Sequence, residues 1–451
     1  MAAEPPSASA GGSPWPHVLR AGAALGAGMG VGRFVYTPIL PLMQAQAGLT
    51  AAAGADLATA NYAGYLAGAL AGSLSPRLAR SRAALRVSLA VLVATVAAMP
   101  LTRDTSVWLG LRCVAGAAST LVFVIAVTGL LHRLRGGPAH LSGWAFGGVG
   151  AGIALSGLLV LALRQAADWR AAWWASAALT ALLAAASSAP RAGDAATGAR
   201  PRHAERATAP GDTAARGGPG GADVTGARGG GSPAEQPPRT HRWFGVLLAG
   251  YTLEGVGYVV AGTFLVAAIG RGSPGALGSG AWVLVGLAAV PASALWTALG
   301  RRFTRPGLLA AALVVQAVGT ALPAVAGGAV AALAAAVLFG GTFLGVSTLA
   351  LAIGAHLRFP RSVALLTAGY SAGQIAGPLA VAPLLHHGYQ HALLLAAAVT
   401  GAAALCAGAL RAGFPHRMPE PGSGHGTPGG PEPAGPGRAS PGRGAQSRTG
   451  A

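Results

Sequence analysis

The sequence predicts an all-α membrane protein whose twelve transmembrane helices form two six-helix pseudo-repeats. The composition indicates a membrane protein, because 53% of the 451 residues are hydrophobic and only 10% are charged, whereas soluble domains are about one-quarter charged. The helix count follows from the apolar windows, since about 20 apolar residues cross the hydrocarbon core. A central segment without such a window divides the chain into two halves.

Apolar windows of this length can be placed at twelve positions along the chain. They cover 18–43, 56–75, 84–102, 107–131, 141–163, 171–189, 243–269, 280–299, 307–326, 329–353, 362–385 and 391–410. Three segments rich in Gly, Ala and Pro have no apolar periodicity and are expected to be disordered: 1–17, 190–242 and 411–451. The expected domains are therefore an N-terminal bundle over 18–189 and a C-terminal bundle over 243–410.

Arginine placement predicts the orientation in the membrane. The net charge is +19, and every strongly basic side chain is arginine because the sequence contains no lysine. Most arginines outside the windows lie in the termini, in the central linker and in the loops on one side, while the opposite loops hold only Arg103, Arg164, Arg170 and Arg271. Cytoplasmic loops carry the excess of basic residues, so we expect both termini and the linker in the cytoplasm of a bacterium, with the helices in its inner membrane. This charge suits lipid headgroups rather than nucleic acid.

Small residues four apart recur in the fifth and eleventh windows. Gly143 and Gly147 have this spacing, and so do Gly373 and Gly377, the latter followed by Pro378. Such pairs let helices approach closely in lipid. Their occurrence in corresponding windows of the two halves suggests an internal duplication.

Two six-helix halves joined by a long cytoplasmic loop resemble the major facilitator superfamily of secondary transporters. The stretch GSLSPRLAR resembles its loop motif Gly-xxx-Asp-Arg-x-Gly-Arg, with Gly72, Arg77 and Arg80 as matches, whereas Pro76 replaces the acid and Ala79 the second glycine. This resemblance implies a gating role for the loop.

Two further stretches resemble motifs of the same superfamily. RCVAG, which begins at Arg112, resembles an Arg-xxx-Gly motif linked to proton coupling. GWAFGGVGAG, which begins at Gly143, is similar to the antiporter motif of the fifth helix, with Gly148 in place of its proline and Ala151 in place of a glycine.

A closer resemblance is to the YbfB/YjiJ-like branch of that superfamily. It rests on GVGRFVYTPILPLM, TANYAGYLAGAL, LEGVGYVVAGTFL and TAGYSAGQIAGP, which are distributed over both halves. The resemblance covers all twelve windows and implies the major facilitator fold and a transporter, but it supplies no substrate.

Arg33 and Glu254 are the main candidates for a substrate or coupling site. A charge at the bilayer centre costs about 2.5–3.5 kcal/mol, so Arg33 is expected to face a cavity or a partner, and Glu254 is the one acid deep within a window. In the resembled fold, the first and fourth helices of each half line the central cavity, which directs both residues at one pathway. We expect Arg33 to bind an anionic or polar substrate group, and Glu254 to carry the coupling proton or to compete for Arg33. A fixed structural ion pair and a snorkelling arginine are the alternatives.

Other polar residues in the windows are candidates for the same cavity. They are Tyr36, Thr37, Asn61, Tyr62, Arg112, Tyr258, Tyr370 and Gln374. Each is also explained by an ordinary contact between helices, and Arg112 by snorkelling to the interface. Pro38 and Pro41 are expected to kink the first span beyond Arg33.

The function expected from these features is secondary active transport of a small solute by alternating access. The sequence has no nucleotide-binding motif, so an ion gradient, most simply of protons, would supply the energy. The antiporter-like stretch slightly favours export. We expect a monomer without cofactor, metal or catalytic residues. A membrane enzyme acting on lipid or glycan, and a non-transporting sensor, are the alternatives.

Overall fold

A computed structural model describes residues 13–134, 140–163, 168–188, 240–272 and 277–415. These residues form helices joined by turns and short connections, and no strand occurs among them. Most of 1–17, 190–242 and 411–451 lies outside the described residues, so their expected disorder, and the domain boundaries that it sets, stay predictions.

Each apolar window corresponds to helical structure. The N-terminal half contains α1 (Trp15–Leu25), α2 (Tyr36–Ala47), α3 (Ala51–Leu74), α4 (Pro76–Ala79), α5 (Arg82–Ala98), α6 (Thr105–Arg133), α7 (His140–Leu163) and α8 (Trp169–Ser188). The C-terminal half contains α9 (His241–Gly272), α10 (Leu277–Leu299), α11 (Arg305–Val325), α12 (Ala329–His356), α13 (Ser362–Val381) and α14 (Tyr389–Ala409). Short 3-10 segments, Met99–Leu101 and Ala382–His387, continue α5 and α13.

Nine of the described helices are long and apolar enough to cross a membrane. The remaining predicted spans are the first, which is divided between α1 and α2, and those formed by α3 and α13. The last two helices are rich in small and polar residues, which lowers their hydropathy. An integral membrane protein is therefore established, while the count of twelve spans stays a prediction.

Side-chain caps fix the starts of several helices. The Thr50 hydroxyl accepts a hydrogen bond from the backbone N–H of Ala53 at the start of α3, and Asp104 accepts from the N–H of Ser106 at the start of α6. These bonds satisfy backbone donors that a helix leaves without an internal partner. They also use Asp104 as a structural residue.

The first span is interrupted, which the sequence analysis did not anticipate. After α1 the chain forms a π-helical segment over Gly26–Val31 and a turn over 32–35, and it resumes as α2 at Tyr36. The expected kink at Pro38 and Pro41 is thus preceded by a break at Arg33 itself. Alternate glycines in the π segment remove side chains that would oppose close packing, and π segments frequently occur at functional sites.

Glycines bring the two halves into close contact along α7 and α10. A Cβ atom on Gly147 would lie 2.7 Å from the carbonyl oxygen of Val290, and one on Gly286 would lie 2.6 Å from the Cα of Ala154. Gly143 faces Ala294 in the same interface. The backbones of the two helices therefore touch, as expected for small residues in lipid.

The duplication is visible in a different pair of glycines from the expected one. Gly373 and Gly377 of α13 face α9, the first helix of their own half. In the N-terminal half the equivalent contact with the first helix is made by Gly148 and Gly152 of α7, which face α1 and the π segment. Gly143 instead faces the other half, so Gly143 and Gly373 do not make equivalent contacts in the two halves.

Three pairs of helices make the main contacts between the halves. α7 packs on α10, α3 on α13, and α2 on α9. The break in the first span lies beside these contacts because α2 follows it directly. Residues at the break are therefore placed where the halves meet.

Candidate functional site

Arg33 lies in the turn between the π segment and α2 and is buried, with 3% of its surface exposed. Its guanidinium carbon lies 4.3 Å from the ring centroid of Tyr65, 4.7 Å from that of Tyr62 and 5.2 Å from that of Phe34. These are cation–π distances. The burial excludes snorkelling to the membrane surface.

Arg112 of α6 joins the same cluster and is 2% exposed. Its Nη2 donates to the backbone oxygen of Arg33 at 3.3 Å. This acceptor lies in the turn over 32–35. The amide of Asn61 donates to the carbonyl of Arg112 at 2.9 Å, and the guanidinium carbon of Arg112 lies 4.8 Å from the Tyr36 ring centroid. Thus Arg112, too, is directed into the protein.

Several polar atoms in this cluster have no hydrogen-bond partner among the described residues. They are Nε and Nη2 of Arg33, Nε of Arg112 and Oδ1 of Asn61. In α13, Ser371 Oγ and both amide atoms of Gln374 are likewise buried without a partner. Native proteins satisfy nearly all such groups, so their concentration here marks a place where a ligand or water is needed.

Aromatic rings connect the arginine cluster to the C-terminal half. Phe34 meets Tyr258 edge-on at 6.4 Å between centroids and Phe343 at 6.2 Å. Tyr370 lies 5.8 Å from Tyr258 and stacks on Tyr251 at 4.5 Å. The centre between the halves is thus walled by aromatic side chains.

Glu254 is fully buried inside the C-terminal half. Its Oε1 accepts a hydrogen bond from the Gln316 amide of α11 at 3.1 Å, and its Oε2 has no partner among the described residues. A cavity of about 10 Å³ beside it is bounded mainly by α9, α11, α12 and α14. This volume is close to the minimum that holds one water molecule.

Arg33 and Glu254 are not brought together as an ion pair. Nε and Nη2 of Arg33 have no hydrogen-bond partner among the described residues, and the bonded oxygen of Glu254 accepts from Gln316 instead. The structural ion pair considered in the sequence analysis is therefore not formed in this structure. The expectation that both residues face one aqueous pathway stays a prediction.

A second cavity lies where α2 and α9 end and α10 and α14 begin. It has a volume of about 530 Å³ and reaches from Gln44 and Tyr389 inward to Pro38. Gln44 and Tyr389 bridge the halves by a hydrogen bond of 2.7 Å. Thr37 makes a further bridge, because its hydroxyl donates to the carbonyl of Gly262 at 2.6 Å.

The loop that resembles the superfamily motif lies at the end of α3. Gly72 faces Val124 of α6, with 3.2 Å from an added Cβ to the valine side chain. Arg77 and Arg80 are exposed in and after the short α4. The structure does not test the gating role of this loop. Elsewhere in the described residues, no three potential metal ligands cluster.

Sequence reasoning found much of the arginine cluster but missed some of its members. Tyr65 contacts Arg33 more closely than Tyr62 does, and its position one turn after Asn61 and Tyr62 was the available signal. Gln316 was also missed, since a lone glutamine in an apolar window gives no indication of its partner.

Comparison with known proteins places the chain in a family. The family model described as "Uncharacterised MFS-type transporter YbfB" matches residues 25–216 and 224–411. The crystal structure of the nucleoside transporter NupG is similar to this structure with a TM-score of 0.62 and 12% identity, over 88% of this chain and 99% of that one. At such low identity the likeness shows the fold alone. A search of curated proteins finds no match. The chain belongs to the YbfB-type family of major facilitator superfamily transporters and has the fold of that superfamily, with its two helical repeats.

Proposed function

We propose that the protein is a secondary active transporter that moves a small solute across the bacterial inner membrane by alternating access. The observation that carries this proposal is the set of buried, unpartnered polar atoms of Arg33, Arg112 and Asn61 at the contact between the halves. Family membership supports a transporter, and a solute bound between two repeats can be exposed to either side as the halves rock. No catalytic activity is proposed.

Glu254 is proposed to carry the coupling proton. Its Oε2 is buried without a partner, and the adjoining cavity has room for about one water molecule, through which a proton could arrive. Because Gln316 rather than Arg33 binds the carboxyl, the geometry favours proton uptake within the C-terminal bundle over direct competition for Arg33. The antiporter-like stretch from Gly143 slightly favours export.

The proposed setting is that of a monomer with both termini and the linker in the cytoplasm. The arginines of the linker and of the exposed loops, such as Arg77 and Arg80, would then lie near anionic headgroups of the inner leaflet. The cavity beside Gln44 would open toward the periplasm. Membrane lipids, protons and the solute are the expected partners.

Transport can be tested without knowing the solute. Purified protein in liposomes is offered a defined mixture of small metabolites under an imposed pH gradient, and the lumen is analysed by mass spectrometry. At least one solute is expected to accumulate relative to protein-free liposomes, and dissipation of the gradient should abolish the accumulation. If the mixture stays equally distributed under both gradient polarities, the proposal fails.

A further inference from the structure

Two buried guanidinium groups lie close together at the break in the first span. Arg112 donates to the backbone oxygen of Arg33 itself, so the two positive charges belong to one site. The Arg112 guanidinium lies over the Tyr36 ring, with 4.8 Å to its centroid, and its Nε has no hydrogen-bond partner among the described residues. The cluster therefore has two positive charges, and neither guanidinium is hydrogen-bonded to a carboxylate among the described residues.

The described acids do not supply this counter-charge. Asp56, Asp104 and Asp168 are exposed, and Asp104 and Asp168 accept bonds from backbone N–H groups. Glu254 is the buried acid among the described residues, and its bonded oxygen is held by Gln316. Within the described part of the chain no acid is placed against the two arginines, and an anion bound from solution would balance them.

The free atoms of Arg33 indicate which kind of anion fits. Nε and Nη2 are both without a partner, and together they form one edge of the guanidinium, with two parallel N–H donors. This edge matches the two oxygens of a carboxylate, which arginine binds in a bidentate fork. Arg112 is held by the bond from its Nη2 to the backbone oxygen of Arg33, and in this proposal it contributes mainly positive potential.

The surroundings of the arginines indicate the rest of the solute. The faces of Tyr62 and Tyr65 hold the Arg33 guanidinium, and Phe34, Tyr258 and Phe343 continue the wall. Aromatic side chains at a binding site favour an apolar or aromatic body. The cavity of about 530 Å³ reaches Pro38, in the helix that follows Arg33.

We propose that the transported solute is an organic carboxylate with an apolar or aromatic body, bound through its carboxylate to the free edge of Arg33, with Arg112 as the second positive charge. This inference rests on the proposed transport function, for which it names the substrate class. It predicts strong discrimination between an acid and its uncharged amide, because the amide has one oxygen and no charge for the fork.

The test is a thermal-shift and calorimetric titration of the full-length protein in detergent. The probes are benzoate, phenylacetate and acetate, with benzamide, phenylacetamide and acetamide as uncharged matches, and inorganic phosphate as a second anion. The aromatic acids are expected to stabilise the protein most, acetate and phosphate less so because they lack an apolar body, and the amides not at all. Losing the charged hydrogen bonds in Arg33→Gln should weaken binding roughly tenfold to a hundredfold.

Two further variants make this result specific. Arg33→Lys keeps the charge but loses the fork, so it should bind the aromatic acids more weakly than wild type and more tightly than Arg33→Gln. If Arg33→Gln does not fold, the weaker binding of Arg33→Lys is the result that tests the fork. Arg103→Gln removes an exposed arginine and should bind as wild type does. The inference is overturned if the amides bind as well as the acids, if Arg33→Gln binds like wild type, or if no acid in the series binds.

The liposome assay separates this inference from the proposed function. If only uncharged solutes accumulate, the proposed transport function is supported and the proposed carboxylate substrate is wrong. If the acids bind in an Arg33-dependent way but no solute moves under either gradient, the carboxylate site is supported and the proposed transport function is wrong.

Discussion

Arg33 and Glu254 differ in what surrounds them, and this difference separates their proposed roles. Arg33 is held by aromatic faces at the contact between the halves, with two nitrogens left free. Glu254 is bonded to Gln316 inside one half, beside a cavity of about 10 Å³. The first arrangement leaves donors for a solute, whereas the second has room for little more than water. Binding and coupling are therefore expected to respond to different substitutions.

Glu254→Gln should uncouple transport without abolishing solute binding. The amide keeps the size of the side chain and an oxygen for Gln316, but it cannot take up and release a proton. We expect the variant to bind the solute with wild-type affinity, to exchange it across the membrane, and to lose accumulation driven by a pH gradient. Calorimetry measures the first property and liposome counterflow the other two.

Asp56→Asn is the matched control, because Asp56 is an exposed acid. It should keep gradient-driven accumulation. Full accumulation by Glu254→Gln would remove Glu254 from the proton role, while loss of binding in that variant would favour the competing hypothesis, in which Glu254 and the solute act on Arg33.

At the scale of residues, the sequence predicted which side chains form the site better than it predicted how they are arranged. Arg33, Tyr36, Asn61, Tyr62 and Arg112 lie together, because a buried charge in an apolar helix has few alternatives to a polar interior. The partner of Glu254 could not be predicted, since it depends on the rotation of α9 about its axis, which hydropathy does not determine.

At the scale of elements, the interrupted first span explains how the arginine cluster is formed. In a continuous helix the carbonyls of Gly28 and Arg33 would be directed along the helix axis to their own backbone donors. Here the carbonyl of Gly28 accepts from Ser119 Oγ at 2.8 Å, and that of Arg33 accepts from Arg112. The break thus frees backbone acceptors that bind α6. Glycines and a nearby proline were a visible signal, but the apolar window concealed the break.

The glycine contact between α7 and α10 predicts an asymmetric response to alanine within one helix. A methyl group on Gly286 would lie 2.6 Å from the Cα of Ala154, which is backbone and cannot rotate away. The same group on Gly280, in the same helix, meets nothing within 4 Å. We expect Gly286→Ala to destabilise the protein by about 1–3 kcal/mol, and Gly280→Ala to be neutral or slightly stabilising because alanine favours helix.

Thermal unfolding of the two variants in the same detergent measures this difference. The comparison cancels the effect of helix propensity, which favours alanine at both positions. Equal unfolding temperatures for the two variants would mean that the helices do not approach as closely as the structure shows.

At the scale of the whole molecule, two of the contacts between the halves differ in kind. In the interface of α7 with α10 the backbones of the two helices touch at Gly147 and Gly286. The contacts of α2 with the C-terminal half are hydrogen bonds, Thr37 to Gly262 and Gln44 to Tyr389. Rocking of the halves requires some contacts to break, and single hydrogen bonds contribute only about 0.5–1.5 kcal/mol each. The α2 end is therefore the expected site of opening.

Locking the α2 end should stop transport reversibly. The side chains of Gln44 and Tyr389 meet at 2.7 Å from opposite halves, so cysteines at these positions are separated by roughly the length of the two removed side chains. The experiment starts from a protein with Cys113→Ala and Cys406→Ala, which lacks the free cysteines of the described residues. The double variant Gln44→Cys with Tyr389→Cys is made in this protein and treated with a reducible bifunctional thiol reagent of that length. We expect transport to fall to the protein-free level and to recover on reduction, because opening at this end is needed in each cycle.

Each single-cysteine protein, treated identically, should remain active. If loss of the native hydrogen bond alone inactivates the pair, Ala45→Cys with Ser279→Cys, which line the same cavity from the two halves, replaces it. A crosslinked protein that transports at the uncrosslinked rate would show that the α2 end does not open during the cycle.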